Sequence, residues 1–327
     1  MRAAISNYDK ENNQYVVIQN VSVPVPREDE VLVEVYTSSL NFADLLAVKG
    51  AYHQQSRESF IPGFDCAGYV VDKGSKVKHF KIGDRVAGFP SGGAFSEYVC
   101  VNEDLLYPME NNLDFDVAAA SISVGITAYE LIHKVAGLRK DETAVIHAAA
   151  GGVGLTLLQL AKHIGAKVIG VVGSETKAKF IRQYGADYVI QHTEVDFEEK
   201  VLQITKDKGV DIVFDSIGGH TFEKSLACLA PYGKLITFGH ASGKSGTVRS
   251  YDLHTTSKSV LGYSSGQRQK GCPHSLKTSA IRFFRLVANA EIKIPISHHF
   301  KLSDMNQAFK CMESRNVIGK IVIFNNR

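Results

Sequence analysis

The amino-acid sequence predicts an α/β protein in which a doubly wound parallel sheet is combined with a smaller β-rich domain. Between residues 143 and 264, short apolar strands alternate with helical segments, as in a parallel sheet covered by helices. Residues 1–120 instead contain short strands and turns with little helical periodicity. The length of 327 residues exceeds what one ordinary hydrophobic core accommodates, so we expect two domains.

The strand signals of the N-terminal part are regular. Residues 31–36 (VLVEVY) alternate as in a half-buried strand, and residues 68–77 (GYVVDKGSKV) favour a strand, a turn and a second strand. Further strands are predicted within residues 81–88 and 94–101. Only residues 41–52 (NFADLLAVKGAY) show helical spacing, so we interpret this part as a small barrel-like β domain.

A strand, a glycine turn and a helix follow one another in the middle of the chain. Residues 143–154 read TAVIHAAAGGVG, and apolar residues then recur at helical spacing. Against the pattern G-x-G-x-x-G, Ala149 occupies the first glycine position, and Gly151 and Gly154 occupy the second and third. Glycines let the backbone approach a dinucleotide diphosphate, which the helix N-terminus attracts. The flanking strand and helix therefore predict a dinucleotide site.

Strands and helices alternate on both sides of this turn. Helical spacing over residues 114–137 precedes it. The strands predicted after it cover residues 167–172, 188–190, 211–216, 234–239 and 259–264, with helices between them. Residues 266–273 (GQRQKGCP) are predicted to be a polar loop that leaves this domain.

The C-terminal stretch resembles the N-terminal part more than the middle. Helices are predicted over residues 275–290 and near 303–312, and a closing strand over residues 319–324. We expect this tail to fold back, so that residues 267–327 complete a domain formed by residues 1–122. Residues 123–266 are then the cofactor-binding domain.

Composition and charge argue against several classes of function. Apolar residues make up 44% of the chain, and 37 basic residues against 34 acidic ones leave a net charge of +3. This balance indicates neither a nucleic-acid partner nor a membrane-surface preference. No apolar run reaches the ~18 residues of a membrane span, and no signal peptide is recognisable. Five scattered cysteines predict reduced thiols in a cytoplasmic protein.

Several motifs occur together and in a fixed order: NFADLLAVKGAY, PGFDCAG, GDRVAG, AAAGGVG, FDSIGG and the terminal GKIVI. They resemble the medium-chain dehydrogenase/reductase superfamily, and within it the zinc-free, zeta-crystallin-like quinone oxidoreductase branch. The resemblance covers essentially the whole chain. It implies a GroES-like catalytic domain made from both ends of the chain, a central Rossmann cofactor domain, and a homodimer.

The zinc ligands of related dehydrogenases have no counterpart at the matching positions. Asn41 stands where their first ligand falls, and Gly63-Phe64-Asp65 stands where they have Gly-His-Glu. Phenylalanine does not bind metal, and the lobe of four closely spaced cysteines is missing. We therefore predict no metal. The substrate is then a small molecule that is already electron-poor, a quinone or another α,β-unsaturated carbonyl.

By this resemblance, Asn41 and Tyr52 are the candidate catalytic residues. Asn41 would line the substrate site and donate a hydrogen bond from its amide to a substrate carbonyl, with a turn-stabilising role as the alternative. Tyr52 would hydrogen-bond the substrate or deliver a proton, with plain packing as the alternative. Asp44 is interpreted as organising the loop and the helix start, and Asp65 as similarly structural.

The end of the second strand of the cofactor domain indicates which nucleotide binds. NAD-specific sites place Asp or Glu there, about 20 residues after the glycine turn. Here the strand ends in Gly173 and Ser174, which leave room for a 2′-phosphate, and Lys177 follows at the family's phosphate-binding position. A solvated helix lysine is the alternative, and an inward Glu175 would favour NAD. His192 replaces a phosphate-contacting tyrosine of relatives, and we predict NADPH.

The resemblance carries further cofactor contacts over to this chain. Thr127 matches a position that touches the nicotinamide side, while Asn316 and Lys320 are expected near the adenine or phosphate end. The remaining predicted cofactor-binding residues are Phe42, Ala150, Gly151, Gly152, Val153, Phe238, Gly239, Tyr263, Ser264 and Ser265.

Three functions stay open at this point. The first is an NADPH-dependent reductase of quinones or enones. The same zinc-free site would suit an enoyl thioester such as acryloyl-CoA, and the sequence does not give the width or charge that would separate these substrates. A non-catalytic NADPH-binding protein, like the vesicle-associated and lens members of the superfamily, is the third.

Overall fold

The structure, a computed structural model, describes residues 1–51 and 59–325. The chain divides into two compact units. The first unit is formed by Met1–Ile126 together with Gly266–Arg327, and the second unit by Thr127–Ser265.

The strands in chain order are β1 (Arg2–Asp9), β2 (Gln14–Asn20), β3 (Glu30–Leu40), β4 (Cys66–Lys73), β5 (Arg85–Gly88), β6 (Tyr98–Asn102), β7 (Leu106–Pro108), β8 (Thr143–Ile146), β9 (Lys167–Val172), β10 (Tyr188–Gln191), β11 (Val210–Asp215), β12 (Leu229–Thr237), β13 (Ser259–Gly262), β14 (Ile296–Lys301) and β15 (Lys320–Phe324). The α-helices are α1 (Phe42–Val48), α2 (Phe115–Glu130), α3 (Gly152–Ile164), α4 (Glu175–Gln183), α5 (Phe197–Thr205), α6 (His220–Ala227), α7 (Ser250–His254), α8 (Ser265–Gly271), α9 (Pro273–Ala288) and α10 (Met305–Glu313). Short 3-10 turns occupy Glu103–Leu105 and Leu302–Asp304, and a π-helical turn, Leu131–Ala136, continues α2.

The sheet of the first unit is organised around β3. Its order is β14-β15-β3-β4-β5-β7, and β6 also pairs with β3. All of these pairs are antiparallel except β14 with β15. The closing strand β15 lies directly beside β3, with Ile321 opposite Leu40. The C-terminal tail is therefore part of the same sheet as the N-terminal strands.

Aromatic packing holds the two ends of the chain together in the first unit. The ring of Tyr15 on β2 stacks on Phe309 of α10, with the centroids 5.2 Å apart. Phe95 meets the same Phe309 ring edge-on at 6.2 Å. All three side chains are almost completely buried. Burying such large rings is a major driving force for folding, and it keeps the C-terminal elements next to β3.

The second unit contains a parallel six-stranded sheet in the order β10-β9-β8-β11-β12-β13. Numbered from β8, this is the order 3-2-1-4-5-6 that is typical of dinucleotide-binding sheets. Side chains such as Val145, Ile169 and Val213 are fully buried, as expected when helices cover both faces. The predicted fold class, a doubly wound parallel sheet with a β-rich domain, is confirmed.

Helix α2 and the π-helical turn after it form a long apolar run, Phe115–Ala136. Among the described residues, this run alone has the length and composition of a membrane span, and 83% of its most apolar stretch is buried inside the protein. At Gly125, a Cβ would lie 2.0 Å from Cε1 of Phe283 on α9. Such close packing is typical of a core helix.

The prediction of two strands within residues 68–77 is wrong, because the chain leaves the sheet after β4. The N–H of Gly74 donates to the carbonyl oxygen of Glu30, and the N–H of Lys76 donates to that of Glu28, both at 2.8 Å. These bonds hold the segment in a turn against the first residue of β3 and the loop before it. The second strand therefore does not form.

The prediction of a loop over residues 266–273 is also wrong, since most of this segment is helix α8. None of the α8 residues is buried. Residues 265–271 (SGQRQKG) include no apolar side chain, so this helix has no apolar face and its sequence lacks the periodicity by which helices are recognised.

Candidate functional site

The glycine turn lies between β8 and α3, where the strand order of the second sheet reverses. The chain turns at Ala148, whose φ is +50°, and the N–H of Gly151 donates to the Ala148 carbonyl oxygen at 2.9 Å. The N–H of Ala149 donates to the carbonyl oxygen of Val171 at 3.1 Å, which ties the turn to β9. A Cβ on Gly154 would lie 2.3 Å from the Ala148 oxygen, so this position requires glycine.

The N-terminus of α3 presents backbone donors at this turn. The first bond within the helix runs from the N–H of Leu155 to the carbonyl oxygen of Gly151, at 2.8 Å. The N–H groups of Gly152, Val153 and Gly154 therefore have no acceptor within the helix. A diphosphate group suits such a helix start, where small residues also let it come close to the backbone. These residues fit the predicted dinucleotide.

The residues predicted to bind a 2′-phosphate lie together at the end of β9. Ser174 is the N-cap of α4, and its Oγ accepts a hydrogen bond from the N–H of Lys177 at 3.4 Å. A Cβ on Gly173 would lie 3.2 Å from Nε2 of His192. A serine cap, a lysine in the first turn and a histidine thus surround the start of a helix, which favours a bound anion.

Glu175 does not point into this group. Its Oε1 lies 3.4 Å from Nη1 of Arg182 on the same helix, and both side chains are 52% exposed. An inward Glu175 would have favoured NAD. Because Glu175 faces Arg182, its carboxylate does not lie beside Ser174.

Residues predicted on the last two strands lie at the same edge of the sheet. The N–H of Phe238 donates to the carbonyl oxygen of Asp215, and the N–H of Tyr263 donates to that of Thr237, both at 3.0 Å. Because the strands are parallel, their carboxyl ends share one edge, where ligands of this fold lie. The structure places at this edge Ala150, Gly151, Gly152, Val153, Gly173, Ser174, Phe238, Gly239, Tyr263, Ser264 and Ser265.

The other predicted cofactor residues are more scattered. Phe42 is the first residue of α1 and packs partly buried against the core of the first unit. Thr127 is 8% exposed within α2. Asn316 is exposed, and its N–H donates to Oγ of Ser314 at 3.3 Å. The contacts of these residues with a cofactor stay predictions. Tyr52, the second catalytic candidate, lies outside the described residues.

Asn41, the other catalytic candidate, has both ends of its side-chain amide engaged. Its Nδ2 donates to Oδ2 of Asp65 at 2.8 Å, and its Oδ1 accepts a hydrogen bond from Nζ of Lys320. Its backbone N–H donates to Oδ2 of Asp44 at 2.8 Å, so Asn41 and Asp44 together cap α1. Asn41 is only partly buried. The second Nδ2 hydrogen has no acceptor among the described residues and remains for a substrate or for water.

Asp65 is the centre of this buried polar group. It is 0% exposed, and both of its oxygens accept hydrogen bonds. Oδ2 accepts from Oγ of Ser39 at 2.7 Å and from Asn41, while Oδ1 accepts from the N–H of Ser123 at 3.1 Å and from its hydroxyl. Asp65 therefore connects β3, the start of α1 and α2 within the first unit.

Lys320, which was expected near the adenine or phosphate end of the cofactor, is buried within the first unit. It is 3% exposed, and its Nζ donates to the carbonyl oxygen of Leu40 at 3.3 Å and to Asn41, 3.6 Å from Oδ2 of Asp65. An ammonium group enclosed in this way is inaccessible to a phosphate. Burial lowers the pKa of Lys320, whereas the charge of Asp65 opposes this change.

Asp44 is fully buried next to this group. One oxygen accepts the N–H of Asn41, and the other, Oδ1, accepts no hydrogen bond from a described residue. Burial raises the pKa of the Asp44 carboxyl to about 8; the N–H of Asn41 opposes this rise, and the charge of Asp65 adds to it. The carboxyl of Asp44 is therefore mainly protonated near neutral pH.

We expect Asp44→Asn to stabilise the protein relative to wild type increasingly as the pH rises. The pKa of Asp44 is raised on folding from near 4, so the unfolded chain loses this proton first. Wild-type stability then falls by up to about 1.4 kcal/mol per pH unit between about pH 4 and pH 8. The variant, which mimics the protonated carboxyl, lacks this loss. Urea unfolding of both proteins across that range measures the difference, and a difference that is independent of pH would contradict it. Asp72→Asn, at an exposed position of the same unit, is the control.

Sequence analysis did not single out His147, which is 2% exposed at the end of β8. Its Nε2 lies 2.8 Å from Oγ of Ser225, and the ring of Phe197 meets it edge-on at 4.8 Å. Burial lowers the pKa of His147 to about 3, and His192 adds to this effect. The imidazole is therefore neutral near pH 7 and is buried against Ser225 and Phe197. The signal was a polar residue between an apolar strand and the glycines.

Within residues 1–51 and 59–325, no three His, Cys, Asp or Glu side chains are arranged to hold a metal ion. The polar side chains around Asn41 are instead bonded to one another. The arrangement contains the amide N–H groups of Asn41, whose carbonyl oxygen accepts a hydrogen bond from the buried ammonium group of Lys320.

Both units resemble known protein families. Residues 27–111 match the alcohol dehydrogenase GroES-like domain, and residues 152–285 match the zinc-binding dehydrogenase family. The chain is 36% identical over 307 residues to quinone oxidoreductase 1 of Escherichia coli strain K12, covering 91% of this chain and 92% of that protein. It is 32% identical to 2-haloacrylate reductase of a Burkholderia species, covering 94% of each.

A solved structure extends this similarity to three dimensions. Escherichia coli quinone oxidoreductase, crystallised in complex with NADPH, matches with a TM-score of 0.92 and 33% identity over 99% of both chains. Sequence and structure thus agree along nearly the whole length. The chain therefore belongs to the quinone oxidoreductase branch of the medium-chain dehydrogenase/reductase superfamily.

Proposed function

We propose that this protein is an NADPH-dependent reductase of quinones and other α,β-unsaturated carbonyls. The observation that carries the proposal is the edge of the second sheet. There a glycine turn with exposed helix N–H groups adjoins a strand that ends in Gly173 and Ser174. Such an edge suits a dinucleotide, and the serine, lysine and histidine around it suit an additional phosphate.

The residues divide the work between binding and orientation. The backbone from Gly151 to Gly154 holds the diphosphate, and Ser174 with Lys177 holds the 2′-phosphate. When bound, the reduced nicotinamide supplies a hydride. A similar NADPH-bound quinone oxidoreductase supports this choice of cofactor.

On the substrate side, we propose that Asn41 donates its second N–H to the oxygen that gains negative charge. An amide donor stabilises such charge less than a metal ion does, so acceptors that are already electron-poor are favoured. Quinones and enones have this property, and the similarity to a 2-haloacrylate reductase supports conjugated carbonyl acceptors.

The decisive experiment follows the absorbance of NADPH while purified protein is mixed with 1,4-benzoquinone, an enone, an enoyl thioester or a saturated ketone. We expect oxidation with the conjugated acceptors and none with the saturated ketone. NADPH binding without turnover of any acceptor would reject the enzymatic proposal in favour of a binding protein. Turnover of the enoyl thioester alone would show that enoyl thioesters, and not quinones or enones, are the substrate class.

We expect Lys177→Ala to weaken NADPH selectively. Losing a charge-assisted contact to a 2′-phosphate costs about 1.5–3 kcal/mol, so the KM for NADPH should rise about ten- to a hundredfold. NADH lacks this phosphate, and its KM should change little. Lys179→Ala, at an exposed position of the same helix, is the matched control. Equal losses for the two cofactors would contradict the assignment of Lys177.

A further inference from the structure

A buried lysine lies directly behind the amide proposed to meet the substrate. The Nζ of Lys320 donates to Oδ1 of Asn41, and the side chain of Lys320 is only 4% exposed. The side chain reaches this place because β15 pairs with the end of β3, immediately before Asn41. The cofactor contacts proposed above assign no role to this ammonium group.

We propose that Lys320 is a positioning residue that orients and polarises the Asn41 amide, so that the remaining N–H becomes a stronger donor to the substrate oxygen. The inference rests on the proposed reductase function. The ammonium group of Lys320 would act on the substrate only through the amide of Asn41. Lys320 itself touches neither substrate nor cofactor.

The partners of the amide allow only one orientation. A carbonyl oxygen accepts from an ammonium group, and an NH₂ group donates to a carboxylate. If the Asn41 amide were flipped, its NH₂ would face Nζ of Lys320, and its oxygen would face Oδ2 of Asp65. Two repulsive contacts would replace two charge-assisted hydrogen bonds. Lys320 and Asp65 together therefore fix where the second N–H points.

The charges around the amide also favour polarisation. A positive charge at Oδ1 draws electron density from Nδ2 and makes its hydrogens more acidic, and the effect is large where water is excluded. The opposing charge of Asp65 is shared with donors from Ser39 and Ser123. Asp44 is mainly protonated near neutral pH and adds little negative charge. The field of Lys320 on Asn41 is therefore only partly cancelled.

The kinetic test compares wild type with Lys320→Met, which keeps the length of the side chain and removes its charge. A substrate that accepts hydride weakly, such as an enone, depends more on the hydrogen bond from Asn41 than a strong hydride acceptor such as a quinone does. The reason is that the negative charge on its oxygen is less stabilised by the substrate itself. We expect kcat for an enone to fall about tenfold, kcat for 1,4-benzoquinone to fall less than about threefold, and the KM for NADPH to stay unchanged. Lys73→Met, which removes an ammonium group that donates to the carbonyl oxygens of Val77 and Phe80, is the control.

A second readout needs no turnover. In the ¹⁵N-labelled protein without ligand, both Nδ2 hydrogens of Asn41 should resonate downfield of those of Asn306. The Oδ1 of Asn306 accepts from the backbone N–H groups of Tyr15 and Val16, which are neutral donors. In Lys320→Met, the Asn41 resonances should move upfield. This comparison within the wild type remains decisive if the variant does not fold.

The two readouts separate the inference from the function on which it rests. A wild type that reduces no acceptor, yet shows the downfield Asn41 resonances, would reject the proposed function and leave the polarised amide standing. An active wild type in which Lys320→Met slows all acceptors equally, or in which the Asn41 and Asn306 resonances coincide, would overturn the inference.

Discussion

Asp65→Ala is expected to lower the free energy of unfolding by about 3–5 kcal/mol. Asp65 is fully buried, and its removal leaves the ammonium group of Lys320 without a counter-charge. It also leaves donors of Ser39, Asn41 and Ser123 without their acceptor. Unpaired buried donors each add to the loss. Urea denaturation followed by circular dichroism measures this change.

The opposite substitution, Lys320→Met, should cost clearly less than Asp65→Ala. Without Lys320, the Asp65 carboxylate still accepts hydrogen bonds from three other residues, so its charge remains solvated by the protein. The double variant should be less destabilised than the sum of the two single variants, because neither charge is then left alone. Equal losses for both single variants, or strict additivity, would contradict the role of Asp65 as the centre of the group. Asp72→Ala, at an exposed position, should change stability by no more than about 0.5 kcal/mol.

Gly154→Ala is expected to weaken the binding of both NADPH and NADH about a hundredfold. The added Cβ would lie 2.3 Å from the carbonyl oxygen of Ala148 and 2.9 Å from Cα of Ala149. Both contacts are with backbone, so the turn must shift and the N–H groups of the α3 N-terminus shift with it. The diphosphate is common to the two cofactors, and both should therefore suffer equally, in contrast to Lys177→Ala.

Fluorescence titration with each nucleotide measures this loss. Gly271→Ala is the control, because a Cβ there meets no atom within 4 Å. An affinity within about threefold of wild type would show that the turn tolerates a side chain, and it would remove the steric argument for the glycine motif.

Elements with a local sequence signal were predicted most successfully. The strand, glycine turn and helix around residues 143–164 appear in the structure as β8, the turn and α3. Each depends on residues within a few positions of one another, so apolar periodicity and glycine spacing suffice to predict them. Prediction failed where an element has no apolar face, as in α8, or where a partner segment ends a strand, as after β4.

The candidate site shows the same division. Gly151, Ser174 and Lys177 were predicted from their position relative to strand ends, because parallel strands bring their carboxyl ends to one edge. The contacts of Lys320 were not predicted. Its partners, Asn41 and Asp65, lie more than 250 positions earlier in the chain, and a lysine that opens an apolar strand gives no sign of them.

The sequence by itself therefore determined the fold class and the family and predicted the cofactor-binding edge, since these follow from short-range patterns of apolar residues and glycines. Only the tertiary structure decided that Asn41, Asp44, Asp65 and Lys320 form one buried polar group. The physical reason is that the pairing of β15 with β3 excludes water there. Groups that would otherwise be hydrated must then bond to one another.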